Sequence, residues 1–436
     1  MSIQQLFNSR KNAINYTNEQ KQALLKIYKF LESDDSFFLL AGFSGCGKTT
    51  LAENIANYKR ATLLAPTNAA VNRLKEKINN PNLEYCTIHK ALFTASDKGK
   101  KVAFNQTQEL RLNGTYVIDE CSMIDKYILE ILIKQGVTRK CKIIFLGDSF
   151  QLEPVGYNPH IFNWEKSYPD HFLSHNKYEL TEVQRYTGSI LHIATQLRTH
   201  KIAGFCQPDE SDVTIVKKFG QTLVNDMSNN NNYVVLTSTN KRRVAYNTKI
   251  REFIFKDKTN FDPELVYDKD VLVSVSNGGG YSNGEIYLAE RPIKKFDFKV
   301  RVFDRKGEPT TYIAHVYEIN RSLHLVVPDL IQASLHGKEI LESIRMLENL
   351  KPEQKKQLVT LTNRNKVKSY FNKNVTISTF GYAISCHKAQ GQEWDNVYID
   401  AHFLMPVWNQ AKWFYTAITR AKNKVEITNN KYLKIQ

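Results

Sequence analysis

The feature that most constrains this chain is an alternation in its first 150 or so residues, where short apolar runs end in polar or glycine-bearing turns and helical patterns lie between them. FFLLA at 37–41, ATLLA at 61–65, TYVID at 115–119 and KIIFL at 142–146 read as strands, and the stretches around Leu51 to Tyr58 and Ala69 to Ile78 read as helices. Strands alternating with helices predict a parallel sheet with helices on both faces, whose ligands bind beyond the C-terminal strand ends. The first such end carries GFSGCGKT, Gly42 to Thr49, between a strand and a helix. Glycines there let backbone N–H groups approach a phosphate, and the helix N-terminus adds a favourable dipole. In this Walker A context Gly42, Gly45, Cys46, Gly47 and Thr50 belong to the cradle for ATP, Lys48 reaches the β- and γ-phosphates, and Thr49 ligates Mg2+.

An acidic element fits that loop. VIDECSM puts Asp119 and Glu120 at the end of a strand that reads as buried. Asp119 is placed to hold Mg2+ in its outer shell and Glu120 to orient or deprotonate an attacking water. Acidic pairs at strand ends also serve as plain caps; the phosphate loop 70 residues earlier gives this pair its chemistry. KIIFLGDSFQLEPVG ends another strand with Gly147, Asp148 and Gln151. Gln151 reads either as a sensor that places water near the γ-phosphate or as part of a polar turn.

The second half repeats the style. YVVLT at 233–237, NVTIS at 374–378, NVYID at 396–400 and KVEIT at 424–428 read as strands of a second α/β domain, with a helix from about Lys241 to Phe255. Between about 260 and 373 the pattern changes to short alternating strands: VLVSV at 271–275, EIYLAE at 285–290, VRVFD at 300–304 and LHLVV at 323–327. These predict a small β-barrel or sheet inserted into the second domain. FTASDKGKKVAFNQTQELRL, within 93–112, reads as a smaller hairpin insertion in the first. The expected division is 1–188, 189–260 with 374–436, and an inserted 261–373.

Sixty Lys and Arg against 44 Asp and Glu give a net charge of +16, a field that attracts polyanions. No apolar stretch reaches the ~20 residues of a membrane span, and the N-terminus lacks a signal-peptide core, so the expectation is a cytoplasmic protein without a membrane. Six scattered cysteines with no CxxC pair read as reduced thiols.

Ten blocks in order carry a family resemblance: TNEQ (17–20), GFSGCGKT, APTNAA (65–70), TIHK (87–90), VIDECSM (117–123), GDSFQLEPV (147–155), LTEVQR (180–185), TSTNK (237–241), STFGYAISCHKAQGQEW (378–394) and YTAITRAK (415–422). The chain resembles the superfamily 1 helicases, and within them the RecD-like and Dda-like 1B branch. The resemblance implies two RecA-like parallel-sheet motor domains, with a hairpin insertion in the first and a β-rich, SH3-like insertion in the second. It implies an ATP-dependent DNA helicase of phage or bacterial type that uses ATP and Mg2+ between its two motor domains, moves 5′ to 3′ on single-stranded DNA and works as a monomer. Single/double-strand junctions are its expected substrate, and a single-strand-binding or replication protein a possible partner.

Carried across by motif, Gln20 contacts adenine, and Arg185 and Arg420 are the two γ-phosphate arginines. Nucleic-acid contacts fall on Pro66, Thr67, Thr87, His89, Thr239, Asn240, His387 and Lys388. As isolated residues, His89 and His387 read first as buried, hydrogen-bonded core residues, and their places in TIHK and SCHKAQG turn them to nucleic-acid contacts; KRR at 241–243 fits either the track or a solvated helix face. Phe104, three residues after the lysines of KGKKVAFNQ, reads either as a strand-splitting ring or as packing for the hairpin. Two other functions stay open: a single-strand-stimulated ATPase that remodels protein–DNA complexes without efficient unwinding, and a small-molecule P-loop kinase. The second α/β domain, the distal Arg420 and the +16 charge argue against the kinase.

Overall fold

The computed structural model describes residues 15–93, 112–153, 176–200, 212–229, 232–275, 280–303, 309–326, 375–402 and 407–428. They fall into two compact units. The first holds the described residues up to 200 together with 411–419; the second holds the remainder.

In the first unit the order is α1 (Asn18–Glu32), β1 (Phe37–Gly42), α2 (Lys48–Lys59), β2 (Thr62–Ala65), α3 (Asn68–Ile78), β3 (Tyr85–Thr87), α4 (Ile88–Leu92), β4 (Thr115–Ile118), α5 (Lys126–Arg139), β5 (Lys142–Gly147), β6 (Lys177–Leu180) and α6 (Gly188–His200). The six strands are all parallel, in the order β3-β2-β4-β5-β1-β6. Strand periodicity divides the core into two layers. Phe38 and Leu40 of β1 and Ile144 and Leu146 of β5 pack with Leu24, Ile27, Leu51 and Ile55 of α1 and α2. Phe37, Leu39, Ile143 and Phe145 face the other way, onto Ile128, Leu129 and Leu132 of α5. Burial on both faces explains why FFLLA and KIIFL are continuous apolar runs rather than alternating ones.

The second unit contains β7 (Val213–Val216), α7 (Gln221–Ser228), β8 (Tyr233–Thr237), α8 (Asn240–Ile254), β9 (Asp270–Ser274), β10 (Ile286–Ala289), β11 (Ile293–Phe303), β12 (Pro309–Ile319), β13 (Ser322–Val326), β14 (Val375–Phe380), β15 (Ala383–Ser385), α9 (Cys386–Ala389) and β16 (Trp394–Ile399). Helix α10 (Val407–Ile418) follows, most of it counted with the first unit, and then β17 (Ala421–Thr428) returns to the second. One sheet is parallel, β15-β8-β16-β17-β7; the other is mixed, β10-β9-β14-β13-β12-β11.

One strand assignment is corrected. NVTIS was expected in the second α/β sheet, but β14 lies in the mixed sheet, antiparallel to β9 and parallel to β13. The neighbour of β8 is instead β15, three residues further on and too short to show a periodic signal. Gly381 makes the crossing, where an added Cβ would stand 3.1 Å from the Leu272 carbonyl carbon. The stretch read as β-rich holds β9 to β13, in one sheet with β14. Most of the 93–112 hairpin, Phe104 included, lies outside the described residues.

The mixed sheet makes folding pH-dependent. His324 on β13 is fully buried, its Nδ1 2.8 Å from the Tyr287 hydroxyl, and burial pushes its pKa down to about 4. An unfolded histidine titrates near 6.5. Below that pH the unfolded chain takes up a proton that folded His324 refuses. The stabilisation is therefore complete above about pH 6.5 and is lost as pH falls toward about 4, by up to ~3 kcal/mol. Urea unfolding at pH 7.5 and 4.5 should show this slope, and His324→Gln should flatten it. An equal slope in both proteins would assign the acid sensitivity to other groups.

Candidate nucleotide site and nucleic-acid interface

The sheet order gathers the chemistry of the first unit at one edge. β1 lies between β5 and β6, with β4 beyond β5. The C-terminal ends of these strands lead into Asp119 and Glu120, then Asp148 and Gln151, then the glycine loop, then the loop carrying Arg185.

In the glycine loop the Lys48 ammonium donates to the carbonyls of Gly42 and Phe43 at 2.9 and 2.8 Å. Gly47 has a left-handed φ of 85°, and an added Cβ would lie 2.5 Å from Gln20 Nε2; at Gly45, φ 84°, it would lie 2.7 Å from the Arg185 Cβ. Gly47 N-caps α2 without a side-chain hydrogen bond, which leaves the helix N-terminus to an anionic partner. The Thr49 hydroxyl donates to Asp119 Oδ2 at 3.0 Å. Asp119 is 7% exposed; burial first, then the neighbouring Glu120 carboxylate, pushes its pKa up. A hydroxyl and a carboxylate touching at the mouth of a phosphate loop fit a divalent cation, which would relieve that buried charge.

Glu120 sits in the left-handed region, φ 52° and ψ 40°, as N-cap of the short turn Cys121–Met123. Gln151 is 3% exposed, and its Oε1 has no hydrogen-bond partner among the described residues. A buried acceptor left unmatched costs about 1–3 kcal/mol, so Gln151 is suited to receive a proton donor such as a water.

The Arg185 loop is latched from two sides. Gln184 N–H donates to Gly45 O at 2.9 Å, the Tyr186 hydroxyl donates to Ser44 O at 3.0 Å, and Arg185 Nη1 donates to Ser44 Oγ at 3.4 Å. From α1, Glu19 accepts the backbone N–H groups of Thr181 and Glu182 at 2.8 and 2.9 Å and the Thr181 hydroxyl at 2.6 Å. Next to it, Gln20 accepts from Thr17 N–H at 3.1 Å and donates to Cys46 O at 3.0 Å. Both ends of the Gln20 amide are thus engaged, and the residue braces the glycine loop. Arg420 belongs to the second unit, where it is 2% exposed and donates to Gln392 O at 3.4 Å.

The candidate nucleic-acid residues form one device in two copies. In the first unit Thr67 N-caps α3 and Thr87 N-caps α4, and β2 and β3 pair so that Ala65 faces Thr87. In the second unit Thr239 N-caps α8 and Ser385 precedes α9, and Thr237 faces Ser385. Each unit therefore sets a Thr-Asn beside a Thr/Ser-x-His-Lys on adjacent strand ends. A hydroxyl that accepts a backbone N–H keeps its own proton for an outside acceptor. His89 and Asn240 are exposed; Pro66, His387 and Lys388 are half-buried. Burial pushes the His387 pKa down, which keeps that ring neutral. Of the KRR run only Lys241 is exposed: Arg242 pairs with Asp400 and Arg243 is 4% exposed.

A family model described as an AAA domain matches residues 27–157, and one described as a UvrD-like helicase C-terminal domain matches residues 380–428. The RecBCD subunit RecD of Buchnera aphidicola subsp. Schizaphis graminum is 23% identical, covering 97% of this chain and 75% of its own. Both partial matches and this relative agree with the likeness of the sequence motifs to superfamily 1B helicases. The chain is also similar to an uncharacterised protein of Acanthamoeba polyphaga mimivirus, 23% identical over 94% of the chain and 99% of the relative. A solved Pif1 helicase, from a structure of two coordinating Pif1 helicases at forked double-stranded DNA, shares its fold. That TM-score is 0.51 at 14% identity, over 97% of this chain and 95% of the other. Among the described residues no helix is long and apolar enough to cross a membrane.

Sequence reasoning missed several parts of the candidate site. Glu19 stands in TNEQ beside the glutamine that drew attention, and its role exists only through Thr181 and Glu182, more than 160 residues away. Tyr186 follows Arg185 in the chain, yet reads as an ordinary aromatic until its hydroxyl is seen on Ser44.

Proposed function

We propose that this chain is an ATP-dependent DNA helicase of superfamily 1B, which hydrolyses ATP to move 5′ to 3′ along single-stranded DNA and to separate the strands of a duplex ahead of it. The observation that carries the reading is the convergence of Lys48, Thr49, Asp119, Glu120, Gln151 and Arg185 at the C-terminal edge of one parallel sheet. Gly42 to Thr50 would hold the phosphates of ATP, and Thr49 with Asp119 would hold Mg2+, which supplies charge neutralisation when bound. Lys48 exchanges its carbonyl partners for phosphate oxygens. Glu120 takes a proton from water oriented by Gln151, and Arg185 and Arg420 meet developing charge. Gln20 stands where an adenine contact and a brace on the loop are compatible only if its amide releases Thr17 or Cys46.

The paired Thr-Asn and Thr/Ser-x-His-Lys devices support a grip on the phosphate backbone that is repeated in both units. Such contacts are polar and charge-based, so affinity for single strands should fall steeply with salt. The slope of log K against log salt should be about −0.7 per phosphate contacted. Titration of a fluorescent oligonucleotide from low to high salt measures it, and a flat line would remove the electrostatic track.

Unwinding of duplexes bearing a 5′ tail or a 3′ tail tests the function itself. The 5′-tailed substrate should be opened and the 3′-tailed one left intact. Preference for the 3′ tail would reverse the polarity while keeping the motor. DNA-stimulated ATP hydrolysis without unwinding of either would favour remodelling of protein–DNA complexes.

A further inference from the structure

A buried polar chain links the glycine loop to the segment that runs into Arg420. Tyr415, on α10, is fully buried, and its hydroxyl accepts the backbone N–H of Ser44 at 2.9 Å, across 371 residues of sequence. The same hydroxyl donates to Asp148 Oδ2 at 2.5 Å. Asp148 is fully buried as well; its Oδ1 accepts Phe150 N–H at 3.0 Å and an Arg198 guanidinium N–H. Arg198 reaches on to Ser149 Oγ at 3.1 Å and Glu179 at 2.6 Å, with its guanidinium 4.2 Å from the centre of the Phe43 ring. Phe150 meets the Tyr415 ring edge-on at 5.3 Å.

The directions of these bonds are fixed by chemistry. Ser44 N–H can only donate, so it occupies a lone pair of the phenol. The phenol proton must then go to Asp148, whose charge Arg198 balances. Burial, with Asp148 close by, holds the Tyr415 pKa well above the ordinary range, so the hydroxyl keeps that proton. The chain has one arrangement in which every member is satisfied, which makes it stiff. Its anchor is the loop residue Ser44, between Gly42 and Gly45, rather than the body of the sheet.

The segment 411–419 packs with the first unit, whereas Arg420 belongs to the second. Tyr415 is thus the point at which the glycine loop holds the stretch of chain that leads, five residues later, to Arg420. We propose that Tyr415 is a positioning residue: through its hydroxyl, oriented by Asp148 and Arg198, it ties movement of the glycine loop to the placement of Arg420. This rests on the ATP-driven reading above. It assigns Arg198 and Asp148 a part in coupling rather than in binding nucleotide or DNA.

The test uses the full chain carrying Tyr415→Phe, which removes one oxygen and keeps the ring against Phe150. Affinity for a fluorescent ATP analogue and turnover without DNA should each stay within about threefold of wild type, while the DNA-stimulated kcat should fall about tenfold. Arg198→Lys, which retains charge but loses the forked contacts, should show a smaller loss of the same kind. Tyr415→Phe should add little to the loss caused by Arg420→Lys, because both act on one element. Strictly additive losses in that double variant would overturn the proposal. So would an unchanged stimulated kcat, or a parallel fall of kcat, unstimulated turnover and melting temperature, which would mark Tyr415 as core packing. Wild-type protein that hydrolyses no ATP would overturn the motor reading itself, and that result is visible before any variant is made.

Discussion

Glu120→Gln is expected to bind ATP about as well as wild type and to hydrolyse it roughly 100- to 10,000-fold more slowly, the range for loss of a positioned general base. The amide keeps the size and the hydrogen-bonding atoms of the side chain and loses its capacity to take a proton. Geometry sharpens the expectation. Glu120 holds φ 52° and ψ 40°, a conformation that costs an ordinary residue roughly 1–2 kcal/mol. Strain of this kind persists where the surrounding structure over-determines it. Here Asp119 Oδ1 accepts the Glu120 N–H at 2.9 Å and the turn Cys121–Met123 begins at once. Glycine adopts that backbone without the penalty, so Glu120→Gly should be inactive yet no less stable than wild type, and by about 1 kcal/mol more stable if the strain is released. Single-turnover hydrolysis with thermal melting reads both effects. Near wild-type turnover in Glu120→Gln would transfer the role to another group.

Local signals made much of this fold legible. FFLLA and KIIFL are long enough, apolar enough and well enough bounded to be strands on sight, and the loop between β1 and α2 has a spacing that sequence preserves. The sheet order was not legible. Nothing in the residues says that β5 and β6 flank β1, although that adjacency puts Asp148, Gln151 and Arg185 around the glycine loop. Short strands escaped for a related reason: Ala383–Ser385 and Tyr85–Thr87 have three residues each, too few to display a period. They are held by parallel pairing to β8 and β2, a non-local cause. The same holds for the polar network. Arg198, Asp148, Tyr415 and Ser44 lie on four distant segments, and each alone reads as a helix-face, turn or core residue. Conversely, KRR reads in sequence as either a nucleic-acid track or a solvated helix face, and the fold commits Arg242 to Asp400 and buries Arg243.

Replacement of Lys48 by alanine should remove more activity than any single change outside the acidic pair, while leaving the loop standing. The ammonium touches the Gly42 and Phe43 carbonyls at 2.9 and 2.8 Å, and it is half-buried, so water can replace it there. The loop has other restraints: Gln20 on Cys46 O, Tyr186 on Ser44 O, Gln184 N–H on Gly45 O and Tyr415 on Ser44 N–H. Melting temperature should therefore move by only about 1–3 °C, as for loss of a partly solvated contact. Hydrolysis depends on the charge itself. One preorganised electrostatic donor contributes about 100- to 1,000-fold to turnover, and Lys48 also contributes to binding the phosphates, so steady-state ATPase should fall by at least that factor. Affinity for single-stranded DNA without nucleotide should stay within about twofold, because Thr67, Thr87, Thr239 and Ser385 lie at other strand ends. Lys48→Met, which keeps the aliphatic stem, should behave as Lys48→Ala does in turnover, placing the effect on the ammonium group. Substantial ATPase in both variants would show that this loop is not where the protein spends its nucleotide.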